Sequence, residues 1–224
     1  MNDNTAINAR PVSTSERVPF KCTGCAACCR HVAMSVALEC LDIFRLTKYF
    51  RDRDTSIKNT DDFLARYAEP ILLDGCGFIV YMLKVQGDDD ACIFLKGNRC
   101  SIQEVKPRAC RIYPFVASPT ANGGFEYMVC LEQPHHFKGA MVSVKRWMNR
   151  FFFVKEKEAL YRDYQSVPKI AGLMRRIPEH NRNQAIALFL WHRYSDYDLD
   201  RSFLEQFSSN MEKLQMELRA LASK

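Results

Sequence analysis

The chain has 224 residues, 47% of them hydrophobic and 26% charged, which is enough to bury a core and excludes a disordered or fibrous chain. The formal charge of +6 is mild, so nucleic acid is not an expected partner. No apolar run nears the roughly 18 residues that span a bilayer, and the first eighteen lack the apolar core of an export signal, so the expectation is a cytoplasmic protein with no membrane contact.

In chain order, residues 1–17 are polar and aperiodic and read as a flexible tail. From Phe20 onward the chain is FKCTGCAACCR, with Cys22, Cys25, Cys28 and Cys29 within eight residues. His31–Val36 alternates weakly, as a short strand would. Leu38, Leu41, Phe44 and Tyr49 share one face of a helix over about 38–50, which carries Cys40 as a buried thiol. Thr60-Asp61-Asp62 is a helix start, and Pro70 ends that helix. Gly75-Cys76-Gly77 is a turn. Strands at about 78–85 and 91–95 form a hairpin around Gln86–Asp90. Its aspartates read as a solvated turn, because the wider calcium-loop pattern is missing. Lys96–Arg99 turns into Cys100. A second hairpin, with strands at about 112–118 and 124–130 around Asn122-Gly123, ends on Cys130.

Beyond His135 there are no further cysteines, and the pattern turns helical. Helices are expected at about 139–165, between Pro168 and Pro178, at about 181–194 and at about 201–223. In the last, Leu204, Phe207, Met211, Leu214, Leu218 and Leu221 make a heptad seam. It reads as packing on the protein's own core, with a protein partner as the alternative. The expected class is α+β. A small metal-organised cysteine-cluster domain (18–134) with short β-hairpins is followed by a helical C-terminal region (135–224) packed on it.

Ten cysteines in a reducing compartment point to metal or redox chemistry rather than to disulfides. Cys-x-x-Cys lets two sulfurs from one turn reach one metal, and thiolates suit zinc, copper(I) and iron–sulfur clusters. The candidate ligands are Cys22, Cys25, Cys28, Cys29, Cys92, Cys100, Cys110 and Cys130. They allow two four-thiolate sites, or one closed site beside a looser one. Side chains of adjacent residues usually diverge, so Cys28 and Cys29 are expected to face different sites unless one is not a ligand. His31, His135 and His136 read as surface or core histidines. Arg108 and Arg111 read as partners of carboxylates or as counter-charges to thiolates. No phosphate-binding glycine loop and no G-x-S-x-G occurs, so no catalytic residue is assigned.

FKCTGCAACCR resembles the signature of the YkgJ-type CxxCxxCC cysteine-cluster family. Cys92-Ile93-Phe94-Leu95, Cys100-Ser101-Ile102, Lys106-Pro107-Arg108-Ala109-Cys110-Arg111 and Tyr113-Pro114-Phe115 resemble its later blocks, in order. Lys106 stands where arginine is usual, Gln103 where tyrosine is frequent, and Leu131-Glu132 where Pro-Gly follows the last cysteine. The resemblance covers about residues 20–133 and implies zinc or iron chelation, often through an iron–sulfur cluster. The family is similar to a cysteine-rich part of flagellin lysine N-methylases. An iron–sulfur enzyme, such as a protein methylase or an oxidoreductase, is therefore the alternative to a plain metal-binding protein. A zinc-stapled adaptor is the third reading.

Overall fold

A computed structural model of the chain describes residues 8–223. The fold is α+β, with short antiparallel strands and, toward the C-terminus, helices. The N-terminal half contains β1 (Ala9–Val12), β2 (Arg17–Pro19), β3 (Ala37–Leu38), α1 (Cys40–Arg51), α2 (Thr60–Tyr67), β4 (Ala68–Leu72) and β5 (Ile79–Leu83). Two pairs of two-residue strands follow: β6 (Val85–Gln86) with β7 (Ala91–Cys92), then β8 (Leu95–Lys96) with β9 (Arg99–Cys100). Next come α3 (Arg108–Ile112), β10 (Phe115–Pro119), β11 (Phe125–Cys130) and β12 (Met141–Ser143). The chain ends in α4 (Val144–Phe151), α5 (Val154–Met174), α6 (Arg182–Leu190) and α7 (Phe203–Ala222). None of the described helices is long and apolar enough to cross a membrane.

Two larger cores organise these elements. In the first, Leu46, Phe63, Phe189, Phe207, Leu214 and Leu218 bring α1, α2, α6 and α7 together. In the second, Val12, Val18, Ile112, Phe115, Val129 and Met148 join the β1–β11–β10 sheet to β2, α3 and α4. Each core draws on residues from both sides of residue 135. The α7 seam is used within the chain: Phe207, Met211, Leu214, Leu218 and Leu221 are buried, and the helix packs on α5 and α6. Leu204 is only half-buried.

Several elements differ from the sequence reading. The expected flexible tail contains β1, which pairs antiparallel with β11 from Ala9↔Cys130 to Val12↔Tyr127. The edge of β11 supplies the backbone partners that a polar stretch cannot advertise in its side chains, and Val12 is buried beneath it. The first seven residues of that expected tail lie outside the described residues. The strand expected at His31–Val36 is displaced to Ala37–Leu38. β5 pairs with β3 and β4, leaving only Val85–Gln86 for the hairpin with Ala91–Cys92. α2 is capped by Asn59, whose side chain accepts from Asp62 N at 3.0 Å, rather than by Thr60. The helix expected at 139–165 starts as a strand and breaks between α4 and α5 at Phe152-Phe153, while α5 runs through Pro168. Burial of Ile170, Leu173 and Met174 beyond that proline outweighs its missing N–H. α6 ends in a single π-turn, Trp191–Ser195. That turn buries Arg193, which donates to both oxygens of Asp163 at 2.6 and 2.9 Å.

Candidate metal centre

The centre is built where β2 runs on into the cysteine segment. β2 pairs with β12, and the pairing continues past the strand. Phe20 N donates to Ala140 O at 3.0 Å, and Lys21 N to His136 O at 2.9 Å. The residue before Cys22 is thus tied to the turn that carries His135 and His136 (Pro134–Lys138). Phe20 is buried under this seam, its ring edge-on to Tyr113 (5.8 Å), His136 (6.1 Å) and Trp147 (5.4 Å).

Gly139 makes the approach possible. A Cβ there would lie 2.4 Å from Lys21 Cβ and 2.8 Å from the Phe20 carbonyl carbon, and backbone cannot move aside as a side-chain tip can. Gly139→Ala is expected to cost about 1–3 kcal/mol in urea unfolding and to weaken metal binding by pushing the histidine turn away from Cys25. A variant with unchanged midpoint and unchanged metal content would show that the seam can open without cost.

Cys25 Sγ lies 3.2 Å from Nε2 of His135 and 3.2 Å from Nε2 of His136. Among the described residues these three form the one group of His, Cys, Asp or Glu whose ligand atoms all lie within 4.8 Å of one another. Metal bonds of roughly 2.0–2.3 Å let one ion join nitrogen and sulfur atoms at such separations. His136 is buried, and its Nδ1 lies 2.9 Å from the Tyr113 hydroxyl. A metal bound at Nε2 would leave the proton on Nδ1, to be donated to that oxygen, which is the outer-shell arrangement of a metal-binding histidine. Bonds from the Thr23 side chain, His135, the Ala27 backbone and His136 lower the Cys25 thiol to about 5. Cys25 is therefore a thiolate at neutral pH, the form that binds metal. The residues present fit a zinc or iron ion.

The other cysteines gather next to this group. A left-handed Ala26 (φ 61°) opens the single 3-10 turn Ala27–Cys29. Within it the sulfurs of Cys28 and Cys29 lie 4.0 Å apart. They converge, where adjacent side chains were expected to diverge. The contact between the two sulfurs lowers Cys29 to about 7 and raises Cys28, which burial raises further.

Cys29 and Cys92 both pack on Ala26, Ala91 and Leu95. The loop after Cys29 is fastened to the β6–β7 turn by His31 N to Asp89 O (2.8 Å) and by an Arg30–Asp89 ion pair. Those aspartates thus belong to a turn that anchors the cysteine loop. Burial raises Cys92, Cys100 and Cys110, and each is raised further by the charge of Cys29. Lys106 offsets part of this at Cys29, Cys100 and Cys110. Tyr113 is raised first by burial, then by the charges of Cys28, Cys130, Cys25 and Cys22. Cys29, Cys92, Cys100 and Cys110 thus lie near enough to feel one another's charge, and Cys28, beside Cys29, also feels Cys110 and Cys22 and so stands between this group and the one near Tyr113. Cys40 and Cys76 are buried in the first core, and none of the other cysteines is among the groups that shift them.

The α3 turn that carries Cys110 is held by carboxylates. Asp42 Oδ1 accepts from Arg108 N at 3.0 Å. The side chain of Arg108 pairs with Glu39, and that of Arg111 with Glu156. This is the carboxylate pairing expected for the two arginines. The histidine pair, by contrast, was read as surface or core. The only sequence signal was its place just after the Cys130 strand, and its approach to Cys25 depends on the β2–β12 seam.

No curated protein and no solved structure matches the chain. The sequence model of one family does match, over residues 21–131, a span that holds all eight candidate cysteines and stops short of His135 and His136. Residues 21–131 match the CxxCxxCC family, described as a "Putative zinc- or iron-chelating domain".

Proposed function

We propose that the chain chelates zinc or iron through two neighbouring donor sets. One consists of Cys25, His135 and His136, with Cys22 and Cys130 beside them. The other consists of Cys28, Cys29, Cys92, Cys100 and Cys110. The observation that carries this reading is the convergence of the Cys25 sulfur and two imidazole nitrogens at 3.2 Å. Mixed thiolate–imidazole donors suit zinc and iron and are poor ligands for magnesium or calcium. The thiol-only set has the composition that holds zinc as a closed centre or an iron–sulfur cluster.

Exposure favours chelation with exchange over a purely structural zinc staple. Cys25 and His135 are both exposed, so one side of the mixed set is open to solvent, and a closed structural site has four protein ligands. An open position also suits an iron–sulfur enzyme, and a bound metal would supply Lewis-acid or redox chemistry there. Anaerobic purification with metal and sulfide analysis and a visible spectrum is the test. Tightly held zinc, or iron with sulfide, is the expected result. Protein that retains neither, after loading with zinc or with iron and sulfide, would remove the proposal.

A further inference from the structure

Residues of β2, β12 and α4 line an open groove of about 470 Å³. Its charged lining is Arg17, Arg146 and Arg150, and no acidic side chain lines it. All three arginines are exposed, and among the described residues none has a carboxylate within 4.0 Å. Like charges gathered along one cleft repel one another and focus a field that an anion relieves. The remaining wall is aromatic. Trp147 and Phe151 lie 4.6 Å apart and are half-buried, with the Arg150 guanidinium 5.1 Å from the Phe151 ring.

We infer that this groove binds a small phosphorylated ligand that carries a flat ring, of the size of a nucleoside monophosphate. The volume lies in the range of about 300–1,000 Å³ typical of small-ligand sites. Guanidinium forks match phosphate oxygens in planar, paired hydrogen bonds, and a phosphate monoester brings nearly two negative charges to meet three positive ones. The aromatic wall gives the ring a stacking surface. Trp147 also ties the groove to the metal group, since its ring lies 5.4 Å from Phe20 and Phe20 lies 6.1 Å from His136. A ligand in the groove would sit behind the wall of the donor set, yet its binding requires no metal.

The test is a fluorescence titration of full-length protein carrying Trp191→Phe, so that Trp147 is the only reporter. The probes are adenosine monophosphate, adenosine and inorganic phosphate. Adenosine monophosphate is expected to change the emission saturably, and each of the other two to bind about tenfold or more weakly. The double variant Arg146→Glu/Arg150→Glu should weaken the nucleotide about tenfold or more and leave metal content unchanged. Lys145→Glu, on the same helix but outside the lining, should bind as the parent does. The proposal is overturned by no saturable change up to millimolar nucleotide, by phosphate alone binding as well as the nucleotide, or by equal loss in the Lys145 variant, which would reduce the effect to net charge.

Discussion

Replacing Glu156 with alanine is expected to cost the fold about 3–5 kcal/mol, the usual penalty for breaking a buried ion pair from one side. Glu156 is 6% exposed and does three jobs. Its Oε1 accepts from Arg45 Nη1 at 2.9 Å and from Arg111. Its Oε2 accepts from Phe153 N at 3.0 Å, which closes the first turn of α5. Burial works against the Arg111 charge, and Glu156 is the main group that offsets it. Without Glu156, Arg111 keeps only the carbonyls of Phe151 (3.0 Å) and Lys106 (3.3 Å). Glu156→Gln retains an acceptor for Phe153 N while removing the charge, so it should be the milder variant. The measurement is urea unfolding at constant m-value. A loss of less than about 1 kcal/mol for the alanine variant would place this pair in the class of surface bridges. Because Arg111 follows Cys110 directly, the alanine variant should also loosen the turn that presents that thiol.

The elements that declared themselves in the sequence are those whose side chains alone encode them. α1 and α7 carry apolar residues at helical spacing, and both formed within two residues of the expected bounds. The β10–β11 hairpin followed from Asn122-Gly123 between two β-branched and aromatic runs, and it delivers Cys130 at the strand end as expected. What the sequence concealed is pairing between distant backbones. β1 and β2 are short and polar, and their partners β11 and β12 lie more than a hundred residues away. Hydrogen bonds of that kind depend on backbone groups that every residue has, so composition gives no warning of them.

The same division runs through the candidate site. The eight cysteines stood out in the sequence because thiols at Cys-x-x-Cys spacing have few other uses in a reducing setting. The approach of the Cys28 and Cys29 sulfurs did not, because it rests on a turn opened by the left-handed Ala26. His135 and His136 were weighed and set aside for want of a zinc-like spacing. Their partner, Cys25, lies 110 and 111 residues earlier in the chain. The bond from Lys21 N to His136 O and the bare Cα of Gly139 bring them together.

Cys25→Ser should therefore remove most of the metal bound at the mixed set, with affinity falling on the order of 100-fold or more. A structural zinc site contributes about 10–16 kcal/mol in total, so one ligand of three or four carries on the order of the roughly 2.7 kcal/mol that corresponds to a factor of 100. Serine cannot replace the thiolate, since its hydroxyl stays protonated at neutral pH. His136→Gln should give a similar loss, because it removes the imidazole that is buried and held by Tyr113. Cys76→Ala is the matching control: its thiol is buried in the first core and no other cysteine is among the groups that shift it, and its metal content should equal that of the parent. Thermal melts separate ligand loss from damage to the fold. At a fixed free-metal concentration, a 100-fold weaker site gives up about 2.7 kcal/mol of linkage stabilisation, so the metal-loaded Cys25→Ser protein should melt close to its own apo form. The apo forms of variant and parent should melt alike, because Cys25 is exposed and fills no core space. An apo variant that falls as far as the loaded one would mean that Cys25 holds the loop together rather than the metal. Unchanged metal binding would take Cys25 out of the ligand set.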